Sequence, residues 1–185
     1  MTRIARLMFT FAVTAGLAGA AVAATPRAAT AQVTVFVVRH AEKGAEGQDP
    51  SLTADGNARA EALAHLLGDA GVTRIYTSQF KRTRETAAPL AKHLGVTAEV
   101  IDAQKMGDLI GTLQQLPAGT RAVVVSHSNL VPAIVERLSG QKVGELTDAD
   151  YDRIYVVTTG GNGATGSVLY LHFGARSPSG SGPMR

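Results

Sequence analysis

The chain has 185 residues, no cysteine, and 18 Lys and Arg against 15 Asp and Glu, for a formal charge of +3. That length suits one domain with a sizeable core, and without cysteine neither disulfides nor thiolate-bound metal can hold it together. The positive charges are scattered, with no basic run and no interleaved aromatics, so the basic composition does not indicate a nucleic-acid partner.

Arg3 and Arg6 precede an apolar run from Leu7 to Val22, followed by Ala23 and Ala24. This three-part pattern predicts a secretory signal peptide over residues 1–24, with cleavage as late as residue 31 after Ala29-Thr30-Ala31. The run is short for a membrane span, and no Cys follows it to serve as a lipoprotein anchor. A secreted or periplasmic bacterial protein is therefore expected, with no membrane contact once the signal is cleaved. Without Arg3 and Arg6 the formal charge falls from +3 to +1.

The folded domain is expected over 33–173. Val33 to Val38 is a near-continuous apolar and β-branched run, the pattern of a strand buried on both faces, and it delivers Arg39 and His40 at its C-terminal end. A glycine-containing loop, 44–50, leads to a helix for which Thr53 is the expected N-cap. In that helix Ala60, Leu63, Ala64 and Leu67 make one apolar face. Thr73 to Thr77 reads as a second strand, and Ser78 leads through Arg82 into another helix, expected to kink or restart at Pro89. Thr97 to Ile101 reads as an edge strand, and Lys105 to Leu116 as a weaker helix.

Arg121 to Ser126 is a second strongly buried strand, ending in His127, with Ser128 and Asn129 as the expected caps of a helix that carries Pro132 in its first turn. Asp148 to Asp152 is expected to be a polar turn. Ile154 to Thr158 and Ser167 to Phe173 read as an antiparallel hairpin around a glycine-rich link. His65, His93 and His172 are read as ordinary surface, helix-end and strand residues. Residues 174–185 are expected to be a disordered tail. Strands alternating with helices predict an α/β fold, a three-layer α/β/α sandwich on a mostly parallel central sheet.

Three of these strands end in cationic or titratable groups: Arg39 and His40, then Arg82 by way of Ser78, then His127. If the strands are parallel neighbours, all four side chains meet beyond one edge of the sheet, where open α/β sheets bind ligands. Two guanidiniums and two imidazoles together call for an anion, and arginine forks match the oxygens of a phosphoryl group. One imidazole can attack phosphorus, and fixed donors can stabilise the transferred group, without metal or cofactor. A metal site built from His40, Glu42 and His127 would have Arg39 and Arg82 as repelling neighbours. Ser126-His127-Ser128 is not a GxSxG elbow, and the chain has neither a GxxxxGK[ST] loop nor a strand-following GxGxxG.

On these residues the chain resembles the histidine phosphatase superfamily, the group related to cofactor-dependent phosphoglycerate mutases. The family's Arg-His-Gly stands here as Arg39-His40-Ala41, and its Leu-Thr-x-x-Gly as Leu52 to Gly56. Its Ser-x-x-x-Arg-x-x-x-Thr-Ala runs from Ser78 through Arg82 to Thr86-Ala87, and its late Gly-His appears as Ser126-His127. The resemblance covers about residues 33–172. It implies a phosphoglycerate mutase-like fold and His40 as the nucleophile. It also implies Arg39 and Arg82 as holders of the phosphoryl oxygens, with His127 completing the pocket. For the proton donor Asp102 is favoured over Glu99 and Asp108, and Lys43 is read as a solvated loop residue. The expected function is a phosphoric monoester hydrolase of the histidine acid type, working on a small phosphorylated substrate or a phosphoprotein through phosphohistidine. A phosphoglycerate mutase-like phosphotransferase and a non-catalytic phosphate-binding module are the alternatives.

Overall fold

The computed structural model describes residues 32–159 and 165–177. The expected signal peptide, most of the hairpin link and residues 178–185 lie outside the described residues. Six strands alternate with four helices: β1 (Thr34–Arg39), α1 (Ala54–Leu67), β2 (Arg74–Thr77), α2 (Lys81–Leu94), β3 (Glu99–Val100), α3 (Met106–Gln114), β4 (Arg121–Ser126), α4 (Val131–Ser139), β5 (Arg153–Thr158) and β6 (Ser167–His172).

The strands form one sheet in the order β3-β2-β4-β1-β5-β6. β3, β2, β4 and β1 run parallel, β5 lies antiparallel to β1, and β6 pairs antiparallel with β5. This is the mostly parallel α/β sandwich predicted from the pattern, with the hairpin at one end. Strand side chains alternate between faces, so each central strand feeds two cores. Val35, Val37, Ala122 and Val124 pack with Ile110, Leu113, Ile134 and Val135 of α3 and α4. Val38, Val123 and Val125 pack with Leu63 and Leu67 of α1 and Leu90 of α2.

The differences from expectation have local causes. α2 runs unbroken through Pro89. The ring removes one backbone bond, but Thr86, Ala87 and Leu90 are fully buried on either side of it and hold both turns against the sheet and α1. α4 begins at Val131 with no side-chain cap, so Ser128 and Asn129 do not cap it. Instead the amides of Leu130 and Val131 both donate to the His127 carbonyl at 2.9 Å, turning the chain directly behind that histidine. β3 is only two residues long, and both of its side chains are exposed. The expected tail does not begin at residue 174. Ser177 is buried, and its Oγ accepts the amides of Tyr151 (2.9 Å) and Asp152 (3.1 Å).

Candidate active site

β2, β4 and β1 are parallel neighbours, so their carboxyl ends open into one crevice. His40 continues the ladder by one residue, its amide donating to the Ser126 carbonyl at 2.8 Å. Its side chain is 3% exposed and lies 5.5 Å, centroid to centroid, from the ring of His127, which is 8% exposed. The charged groups acting on His40 include Arg39 and Arg82, and the same two act on His127. The four side chains picked out by sequence are therefore brought together.

The His40 Nδ1–H donates to the carbonyl of Ala41 at 2.8 Å, because a carbonyl only accepts. The lone pair of this imidazole is thus on Nε2. The next residue is anchored too: the Ala41 amide donates to Thr86 Oγ1 (2.9 Å), and the Thr86 hydroxyl donates to the Arg82 carbonyl. The Arg-His segment and the Arg82 helix are in this way tied together by one threonine.

Both imidazoles are held neutral. Burial is the largest cause, depressing His40 to about 3 and His127 to about 4, and the neighbouring guanidiniums push in the same direction. Burial also lowers the pKa values of Arg39 and Arg82, although guanidiniums remain charged at any ordinary pH.

Each guanidinium stacks on an aromatic ring that the sequence reading did not single out. Arg39 Cζ lies 4.1 Å from the centroid of Tyr151, and Arg82 Cζ 4.2 Å from that of Phe80. Arg39 Nη1 donates to the carbonyls of Thr147 (2.8 Å) and Asp150 (3.4 Å), and Nη2 lies 3.5 Å from the exposed Asp148 carboxylate. Asp150 organises that turn: its Oδ2 accepts the Thr147 amide and hydroxyl, and its Oδ1 pairs with Arg153 at 3.0 Å. Arg82 Nη1 faces Asp49 at 3.7 Å, and the same carboxylate accepts the Lys81 amide at 2.9 Å. The Nε–H groups of Arg39 and Arg82 are both buried without an acceptor.

The other candidates have different places. Glu42, weighed as a metal ligand, is committed to Arg59: Arg59 Nε donates to both of its oxygens and Nη2 to Oε1 at 2.6 Å. Among the described residues no three His, Cys, Asp or Glu side chains gather at a metal-binding spacing. Asp102 accepts the Gln104 amide at 2.8 Å in an exposed turn, and neither it, Glu99 nor Asp108 is among the charged groups acting on the two imidazoles. Lys43 is exposed, and its backbone bridges to Leu52. His172 lies between Asp152 Oδ2 and the Tyr170 hydroxyl, each at 2.8 Å. Arg59, Tyr151, Thr147 and Asp150 were not picked out from the sequence. Only Arg59 left a signal there, since it lies on the apolar stripe of α1 beside Ala60 and Leu63.

The carboxyl edge of this α/β sheet presents two imidazoles together with the buried guanidinium of Arg39 and the partly buried guanidinium of Arg82, an arrangement suited to an anion. Residues 35–105 match the model of the histidine phosphatase superfamily (branch 1). A stretch of 89 residues is 35% identical to the probable phosphoglycerate mutase GpmB of Serratia proteamaculans, covering 44% of this chain and 40% of that one. The chain thus spans well under half the length of this curated relative. Among solved structures, the protein histidine phosphatase SixA complexed with tungstate superposes with a TM-score of 0.61 at 22% identity, over 75% of this chain and 96% of that one. A mycobacterial glucosyl-3-phosphoglycerate phosphatase superposes with a TM-score of 0.53 at 15% identity, over 68% and 89%. At these identities the two structures establish a shared fold.

Proposed function

We propose that this chain is a phosphatase that hydrolyses phosphomonoesters through a phosphohistidine intermediate on His40. The observation that carries the reading is the pair of buried, acceptorless Nε–H groups of Arg39 and Arg82 beside an imidazole whose Nε2 lone pair is free. A phosphoryl group supplies oxygens to those donors and a phosphorus atom to that nitrogen. His40 Nε2 attacks phosphorus as the bond to the leaving oxygen breaks. The guanidiniums stabilise the charge spread over the equatorial oxygens, and water then attacks the phosphohistidine to release phosphate and restore Nε2. The backbone acceptors and the Tyr151 ring hold Arg39 in place before substrate arrives, so little reorganisation accompanies the step.

The groups acting on the two imidazoles include no carboxylate, which favours a leaving group that departs without a proton, such as an aryl oxide. The N-terminal pattern supports action outside the cytoplasm. The test is release of phosphate from an aryl phosphate with chelator present, followed by trapping of the phosphoenzyme with an alkaline denaturing quench. A parent protein that binds phosphate without turnover would be a binding module, and one that transfers only to a phosphorylated acceptor would be a mutase.

A further inference from the structure

Behind His127 lies a chain of three short contacts. His127 Nε2 is 2.9 Å from Ser78 Oγ, Ser78 Oγ is 2.9 Å from Thr83 Oγ1, and Thr83 Oγ1 is 2.8 Å from the Phe80 carbonyl oxygen. Ser78 and Thr83 are buried, at 4% and 0% exposure. Each contact needs one proton. The two hydroxyls supply one each, and the carbonyl can only accept. The third proton must therefore sit on Nε2. Thr83 O–H donates to the Phe80 carbonyl, Ser78 O–H donates to Thr83, and His127 Nε2–H donates to Ser78. With the proton on Nδ1 instead, two lone pairs would face each other across one of these contacts inside the fold, the costly case of a buried unsatisfied pair.

The nitrogen of His127 left for a ligand is then Nδ1, and in the free protein it bears a lone pair. Arg82 and Arg39 act on the ring, His40 meets it edge-on, and Phe80 packs across it at 5.4 Å. Burial first, and these cations with it, keep Nδ1 bare until an anion enters. A bare lone pair repels a phosphoryl oxygen, and the contact becomes a hydrogen bond only with a proton between them.

We propose that Ser78 and Thr83 are positioning residues that lock His127 as the Nε2–H tautomer, so that this site binds a phosphoryl group only together with one proton, held between Nδ1 and a phosphoryl oxygen. The inference rests on the phosphoryl-binding reading of the pocket but not on turnover. No bond to phosphorus changes in this step, since the proton arrives with the monoanionic ligand or is taken up with the dianion. A phosphomonoester changes between those forms near pH ~6. The ligand itself thus brings a proton to a site where no carboxylate is among the charged groups acting on the two imidazoles.

The test uses inorganic phosphate as the probe, with its dissociation constant followed from pH 5.5 to 9, beside nitrogen chemical shifts of the His127 ring in the free protein. The parent should show Nε2–H, with affinity falling about tenfold per pH unit above the second ionisation of phosphate. Thr83→Val keeps the shape but removes the acceptor, so the Ser78 hydroxyl turns to Nε2, Nδ1 becomes the N–H, and the slope flattens. Ser78→Ala should flatten it likewise, and Thr83→Ser should restore it. A flat profile in the parent, an Nδ1–H tautomer, or an unchanged slope in both Thr83→Val and Ser78→Ala would overturn the proposal. No phosphate binding at all would overturn this and the phosphatase reading together. Proton-linked binding without turnover would leave this inference standing and remove the phosphatase.

Discussion

At the scale of single residues, this site works by withholding partners. His40 donates from Nδ1 to Ala41, which leaves Nε2 as its only nucleophilic atom, and burial keeps the ring neutral down to about pH 3. His40→Ala should therefore lower kcat for an aryl phosphate by at least ~10³-fold and abolish the phosphoenzyme trapped by alkaline quench, since the covalent route is gone. A variant that still turns over would exclude His40 as the nucleophile. Arg82 places a stacked, forked donor set against its ligand, and Arg82→Lys retains the charge but loses the fork and the stacking on Phe80. The expected loss in kcat/KM is about 10²-fold, measured on the same ester, with the fold unchanged by circular dichroism. The positions of these side chains were legible in the sequence because they stand at or just beyond the ends of apolar strands. Tyr151 and Phe80 were not, since an aromatic residue beside a charged one is unremarkable until the two are seen to stack.

At the scale of elements, the loop that follows His40 is shaped by its contact with α1. A Cβ built on Gly56 would lie against the Glu42 backbone carbonyl, much closer than any atom pair tolerates, and that carbonyl also accepts the Thr53 amide at 2.9 Å. Gly56 thus allows the helix to approach the backbone two residues beyond His40. Gly56→Ala should cost about 2 kcal/mol in urea unfolding and lower turnover as well, because the displaced segment carries His40. Full activity and stability would show that the approach is dispensable. The Leu-Thr-x-x-Gly spacing was visible in the sequence, and Thr53 does cap α1, its Oγ1 accepting the Gly56 amide at 3.1 Å. What the glycine makes room for was not visible, because the carbonyl it spares belongs to another element. The same reason explains α2: local rules lead one to expect a kink or restart at Pro89, and tertiary burial of Ala87 and Leu90 keeps one continuous helix.

At the scale of the whole molecule, burying two neutral imidazoles among cations couples the site to acid stability. Both folded values, about 3 and about 4, lie below the ordinary 6.5, so between those limits the unfolded chain holds protons that the folded one lacks. Stability then rises with pH across this interval and is lost as pH falls from about 6.5, by up to about 1.4 kcal/mol per pH unit for each ring. Tm measured from pH 7 to 4.5 should decline, and the double variant His40→Asn/His127→Asn should remove most of that decline; an unchanged decline would assign it to other groups. Arg59 is the other long-range device. It holds Glu42 by two nitrogens and, through Nη1, the carbonyls of Phe173 (3.1 Å) and Ala175 (2.9 Å), which joins α1, the segment after His40 and the end of the described chain. Arg59→Ala should destabilise by about 3 kcal/mol, because it strands a partly buried carboxylate and two carbonyls.

The sequence by itself determined the alternation of strands and helices, the two-faced burial of β1 and β4, and the four side chains at strand ends, since all of these follow from periodicity and residue type along short stretches. Only the tertiary structure decided that β4 lies between β1 and β2, which brings Arg39, His40, Arg82 and His127 to one edge. It also decided what holds Arg39, whose carbonyl partner at Thr147 is 108 residues further along the chain. Contacts of that separation depend on how the sheet is ordered, and no local pattern encodes that order.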